Sequence, residues 1–291
     1  MMVETEILGR TLRYRSLTAK TPDGLSIAVQ DHDRRGGGRD VLFIHGYSQS
    51  SLAWLRQVTG PLAQQHRLVT YDLRGHGMSD KPADPSYFRD PARWAAEVEA
   101  VIDVAGLHKP VLVCWSYGGR VALDFLTEKT DGLISGLIMV AATSTDRADV
   151  MGSAAPLLRR MANAHELAEN IAATEALLAA CAAAPLSERE LATMLAYNVM
   201  TPPAVRSALS GRPAPYQQTL ERLSVPVLTI HGAMDQINLP AMSENTQRFV
   251  AHAQSRVYQA SGHMPFWEEA ERFDADLSAF LVALDAPIAS R

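Results

Sequence analysis

Val111-Leu112-Val113-Cys114-Trp115-Ser116-Tyr117-Gly118-Gly119-Arg120 carries an apolar strand directly into a helix. The unbroken Val-Leu-Val-Cys run suits a strand buried on both faces. Val121-Ala122-Leu123-Asp124-Phe125 then follows at helical spacing. Between the two lies small-x-Ser-x-Gly, the pattern of a nucleophile elbow, in which a strained backbone lifts a serine hydroxyl above the end of its strand. So sharp a turn brings the residues two before and two after the serine together, so both are small: Cys114 and Gly118. Gly119 lets the new helix approach the sheet.

Working outward, Thr11 to Thr18 and Leu25 to Asp31 read as two short strands joined by the turn residues Pro22-Asp23-Gly24, an opening hairpin. Asp33 to Asp40 is a polar, glycine-rich loop, and Val41-Leu42-Phe43-Ile44 begins a parallel sheet. Strand-like runs recur at Arg67 to Asp72, Pro110 to Cys114, Leu133 to Ala141, Val225 to His231 and Ser255 to Gln259, most of them separated by helical patterns. This alternation predicts an α/β fold with a mostly parallel, eight-stranded sheet flanked by helices. From Thr143 to Tyr216 no strand pattern appears, and Leu157, Leu158, Met161, Ile171, Leu177, Leu178, Leu191, Met194 and Leu195 fall at helical spacing. The expectation is a helical cap over 143–216, inserted after the sixth strand into a core made of 1–142 and 217–291. Pro185 and Pro202-Pro203 divide it into short helices, with Ser187 and Thr201 as expected caps.

The chain has 291 residues, 47% of them hydrophobic, enough for one large core with an insertion. Its formal net charge of −5 and scattered Lys and Arg offer no phosphate-binding face, so nucleic acid is not an expected partner. Met1-Met2-Val3-Glu4-Thr5-Glu6 carries acids where a signal peptide carries bases, and no apolar run reaches the ~20 residues of a membrane span. A soluble, cytoplasmic chain with no membrane partner is expected. The two cysteines, Cys114 and Cys181, give neither a disulfide framework nor a metal-ligand spacing. No His-x-x-x-His or carboxylate cluster suggests a metal, and no cofactor motif is present: Asp72-Leu73-Arg74-Gly75-His76-Gly77 lacks the spacing of a phosphate loop and reads as a structural turn.

Ligands of open parallel sheets bind beyond the carboxyl ends of the strands. Three segments join Ser116 at that edge: His45-Gly46-Tyr47-Ser48, His231-Gly232-Ala233-Met234-Asp235 and Ser261-Gly262-His263. A serine hydroxyl is a weak nucleophile that needs an imidazole to take its proton and a carboxylate to hold that imidazole in the right tautomer. His263 and Asp235 fit these roles, with Asp146 as another possible acid. His45, His76 and His231 read as structural.

These segments, with Tyr71-Asp72-Leu73-Arg74-Gly75-His76-Gly77-Met78-Ser79-Asp80, make the chain resemble the α/β-hydrolase superfamily over nearly its whole length. The similarity is to the capped branch that includes epoxide hydrolases, dehalogenases, lactonases and many esterases. The chain order Ser116, Asp235, His263 is the one that fold uses. The resemblance implies an oxyanion hole made by the backbone N–H groups of Tyr47 and Tyr117. The second lies at a helix start, where amides are unpaired and the dipole favours negative charge. Trp115 and His45 are candidates to line the pocket, core packing being the other reading of Trp115.

Epoxide hydrolases and haloalkane dehalogenases attack with aspartate, whereas position 116 is serine, which suits attack on an acyl carbon. The expectation is a serine hydrolase of the carboxylesterase type that cleaves small to medium apolar esters through an acyl-enzyme. Lactone hydrolysis, carbon–carbon cleavage of a diketone and cofactor-free perhydrolysis use the same triad. A non-catalytic ligand receptor on this fold is the reading from another class. The cap would select the small-molecule substrate.

Overall fold

Nine strands build one sheet in the computed structural model, which describes residues 1–32 and 38–284. They are β1 (Met2–Ile7), β2 (Arg10–Lys20), β3 (Ser26–His32), β4 (Asp40–Ile44), β5 (Arg67–Tyr71), β6 (Val111–Trp115), β7 (Gly136–Val140), β8 (Val227–Gly232) and β9 (Gln254–Tyr258). Their order is β1-β2-β3-β5-β4-β6-β7-β8-β9. The first three pair antiparallel, β3 joins β5 antiparallel, and every later pairing is parallel. Most of the expected glycine-rich loop, residues 33–37, lies outside the described residues.

The count of eight strands is corrected to nine by β1. Its sequence, Met-Val-Glu-Thr-Glu-Ile, has no fully buried residue, and its short alternation rests on the half-buried Val3 and Ile7 alone, too weak to mark a strand. What pairs it with β2 is the connection: Leu8 and Gly9 both have positive φ, 52° and 71°, as a two-residue turn matched to strand twist requires. The strand expected from Leu133 is shorter, because Asp131–Leu133 winds into a 3-10 turn before β7 begins at Gly136.

Alternation along the central strands divides the core. Leu42, Ile44, Leu112 and Cys114 face the helices Pro91–Ala105 and Gly118–Glu128, packing with Trp94, Val98, Val121 and Phe125. Val41, Phe43, Val113 and Trp115 face Trp54, Phe266 and the helix Ala270–Ala283 on the other side. Pro91–Ala105 begins where the Asp90 carboxylate caps the Ala92 N–H and ends at Gly106 with φ 63°.

Between β7 and β8 the chain forms the helices Pro156–Asn163, Leu167–Cys181, Glu188–Val199, Pro203–Leu209 and the short Gln217–Glu221. Ser187 caps the third through a reciprocal bond with Glu190, as its sequence suggests. Thr201, the other expected cap, does not act as one: the fourth helix starts from Pro202, and the Thr201 hydroxyl is buried without a partner among the described residues. Among the described residues no helix is long and apolar enough to cross a membrane.

Candidate active site

Ser116 sits at the end of β6 with φ 52°, a left-handed conformation that costs a non-glycine residue of order 1–3 kcal/mol and is held by its surroundings. Its N–H donates to Val140 O at 3.1 Å, and its carbonyl accepts from Gly119 N and Thr143 N, both at 2.9 Å. The crowding differs from the sequence expectation. A Cβ on Gly118 would meet the Ile44 carbonyl oxygen at 2.5 Å and that of His45 at 2.8 Å. The end of β4, rather than Cys114, is what excludes a side chain there. Gly119 is closed by Ala142 and Thr143, and Cys114 is a buried thiol whose pKa burial pushes up.

The loop after β4 lies against this turn. A Cβ on Gly46 would stand 3.1 Å from Ser116 Cβ, so the glycine sets how closely the loop approaches the serine. Neither the Tyr47 nor the Tyr117 N–H bonds another described residue. Their rings are buried, 6.4 Å apart, and tied to the helical segment: Tyr47 Oη donates to Arg206 O at 3.2 Å, and Tyr117 Oη accepts from Arg212 Nη1 at 2.9 Å. The loop is further held from β5's end. His76 Nε2 accepts from Ser48 N at 3.1 Å, and the Asp72 carboxylate accepts from Ser51 N at 2.7 Å and Met78 N at 2.8 Å.

Beyond β8 and β9, Asp235 and His263 meet: His263 Nδ1 lies 2.7 Å from Asp235 Oδ2, with both residues buried. The other carboxylate oxygen accepts from Ile237 N at 2.8 Å and Asn238 N at 3.0 Å. Burial alone would raise this carboxyl, but the charge of His263 and the hydrogen bonds from His231 and His263 outweigh it and hold Asp235 well below the ordinary carboxylate range. The His263 N–H donates to Cys181 O at 2.8 Å, fastening this loop to the helical segment. Ser116 Oγ and His263 Nε2 have no hydrogen-bond partner among the described residues.

Trp115 is buried, its ring packed on His263 and Phe266 and its Nε1 donating to His263 O at 2.8 Å. His45 is corrected as a pocket residue. It is fully buried, with Nδ1 bonded to Gly46 O at 2.8 Å and Nε2 accepting from Leu73 N at 3.0 Å, and burial lowers its pKa to about 4. Asp146 is exposed and accepts from Ala214 N at 3.4 Å, away from His263's partner. His231, read as structural, touches Asp235 Oδ2 through Nε2 at 3.1 Å, a contact that needs the fold of the β8 loop to appear. Among the described residues no cluster of His, Cys, Asp or Glu is arranged to hold a metal ion. A cavity of about 210 Å³ opens between the N-terminal strands and the helix Glu188–Val199, bordered by Ile7, Leu12, Tyr14, His32, Ser51 and Tyr197, and does not reach Ser116 or His263.

Residues 41–276 match the sequence model of the alpha/beta hydrolase family. A 2-hydroxymuconate semialdehyde hydrolase of Pseudomonas sp. (strain CF600) is 28% identical over 88% of this chain and 90% of its own. A Burkholderia cenocepacia protein described provisionally as an aryl esterase is 33% identical, covers 93% of this chain and 99% of its own, and superposes with a TM-score of 0.87. Esterase RhEst1 from Rhodococcus sp. ECU1013 is 30% identical over 92% of this chain and 99% of its own, with a TM-score of 0.85.

Proposed function

The chain belongs to the alpha/beta hydrolase family, and on that premise we propose that it cleaves carboxylic esters of small to medium apolar acyl groups through an acyl-enzyme on Ser116. The observation that carries this reading is the buried 2.7 Å contact between Asp235 Oδ2 and His263 Nδ1 beside a serine in left-handed conformation. With Nδ1–H committed to the carboxylate, His263 Nε2 is the basic nitrogen. It takes the Ser116 proton as Oγ bonds the acyl carbon. The carbonyl electron pair moves onto oxygen, where the Tyr47 and Tyr117 N–H groups receive the charge. Collapse expels the alcohol, which takes the proton from Nε2, and a water repeats the sequence to release the acid. The helices between β7 and β8 act as the cap that shapes the acyl site.

The test is covalent labelling by a fluorophosphonate, with turnover of nitrophenyl esters of graded chain length, lactones and a vinylogous diketone. Labelling and ester turnover that vanish in Ser116→Ala support the esterase. Preferential turnover of the diketone, the carbon–carbon chemistry weighed alongside, would replace the ester. A wild-type protein neither labelled nor active would make it a receptor.

A further inference from the structure

Among the described residues three arginines are buried, and two have acids beside them. Arg74 Nε lies 2.6 Å from Glu97 and its Nη1 2.8 Å from Asp23, and Arg212 Nη2 bonds Asp124. Arg206, in the helix Pro203–Leu209, is also fully buried, yet its partners among the described residues are all neutral oxygens. Nε donates to Ser48 Oγ at 2.9 Å, Nη1 to Asn170 Oδ1 at 2.9 Å and Thr174 Oγ1 at 3.5 Å, and Nη2 to Asn198 O at 2.7 Å. A guanidinium keeps its charge in proteins, and a buried charge without a counter-charge is costly. Neutral hydrogen bonds relieve part of that cost and leave the field in place.

The charge stands directly behind the loop that approaches the nucleophile. Ser48, its Nε partner, has φ 60° and follows Tyr47, whose own hydroxyl donates to the Arg206 carbonyl at 3.2 Å. Ser48 Oγ in turn donates to Asn198 O at 3.3 Å. One arginine thus ties three helices of the segment between β7 and β8 to the Tyr47–Ser48 loop.

We propose that Arg206 is a positioning residue for acyl transfer: through Ser48 it fixes the Tyr47 N–H, and its unneutralised charge favours the anionic tetrahedral intermediate over the neutral ester. This rests on the esterase reading given above. The electron pair that shifts onto the carbonyl oxygen is a new negative charge in that field, and among the described residues no carboxylate bonds Arg206 to offset it.

The decisive variant is Asn170→Asp. Asn170 Oδ1 already accepts from Nη1, so the aspartate neutralises the guanidinium in place. The expected result is a higher melting temperature together with a kcat on a nitrophenyl ester lowered about tenfold and little change in KM. Affinity for a trifluoromethyl ketone, which forms an anionic adduct on serine, falls in parallel. Asn170→Ala, which removes the hydrogen bond without altering charge, keeps kcat within about threefold, whereas Arg206→Met, which removes the charge and the fork, loses at least tenfold. An Asn170→Asp protein that turns over as fast as wild type, or a folded Arg206→Met protein that does, overturns the proposal while leaving Ser116 chemistry intact. Should Arg206→Met fail to fold, the opposed movements of stability and kcat in Asn170→Asp decide alone. If the wild type is neither labelled nor active, both readings fall.

Discussion

Asp235 Oδ2 is shared by two imidazoles, His263 Nδ1 at 2.7 Å and His231 Nε2 at 3.1 Å. His231 is itself fixed, with Ser243 Oγ 2.7 Å from its Nδ1 and Asn238 O 2.9 Å from its Nε2, so its Nε2–H is shared between the Asn238 carbonyl and the carboxylate. Asp235→Asn places a donor against His263 Nδ1 and selects the wrong tautomer, and kcat is expected to fall ~10⁴-fold with the fold intact. His231→Phe removes one donor from Asp235 and is expected to cost about tenfold in kcat/KM, with the acid limb of the rate profile moved to higher pH. Steady-state kinetics across pH check both, and a wild-type rate for Asp235→Asn would assign the orienting role to another residue.

Gly46 and Gly118 are constrained by different neighbours, which separates their mutants. A methyl on Gly46 presses on Ser116 Cβ at 3.1 Å, a side-chain contact, so Gly46→Ala is expected to fold and to lose about tenfold in kcat. A methyl on Gly118 meets a backbone oxygen at 2.5 Å that has no freedom to yield, so Gly118→Ala is expected to destabilise by about 2 kcal/mol or more. Denaturant unfolding beside esterase assays distinguishes the two, and equal stability losses would refute this division.

In three of the buried histidines, His32, His45 and His76, burial lowers the pKa from 6.5 to about 4, 4 and 3. As pH falls below 6.5 the unfolded chain takes up their protons while the folded protein does not. Their contribution to stability is therefore complete above pH 6.5 and is lost progressively toward pH 4, at up to about 4 kcal/mol per pH unit for the three together. Unfolding at pH 5 should take up about three protons more than at pH 8. A pH-independent melting temperature between 7 and 4.5 would count against neutral, buried imidazoles.

Asp274 behaves in the opposite sense. Burial raises its carboxyl from 3.8 to about 6, against the pull of the Gln57 hydrogen bond and of Arg10. A raised carboxyl is destabilising once ionised, above pH 6, and neutral in effect below 3.8. Asp274→Asn is expected to raise the melting temperature at pH 8, on the order of 2–4 °C, with the gain vanishing near pH 4. Equal gains at both values would locate the effect in packing instead.

The parallel sheet and the positions of Ser116, Asp235 and His263 at its edge were legible because strands buried on both faces are continuously apolar and their ends carry the polar turns. Strand β1 was not, since an edge strand whose sheltered face offers only the half-buried Val3 and Ile7 leaves a weak pattern and its hairpin turn used Leu8-Gly9 rather than Asn-Gly. His45 was assigned to the pocket because sequence places a residue at a strand end but not its ring nitrogens, which here serve backbone groups. Arg206 was invisible for a related reason. Its partners come from residues 48, 170, 174 and 198, and nothing in a helical run distinguishes an arginine facing inward from one in solvent.

The turn after β5 holds no reactive group, yet the loop beside Ser116 depends on it through Ser48 N and Ser51 N. That turn is anchored in its own right, Arg74 N and Nε both donating to Glu97 of the helix Pro91–Ala105. The irregular loop therefore belongs to the same cooperative unit as the sheet and its flanking helix. Its Ser48 and Ser51 amides are expected to exchange hydrogen with solvent through global opening rather than local fluctuation, which native-state hydrogen exchange checks.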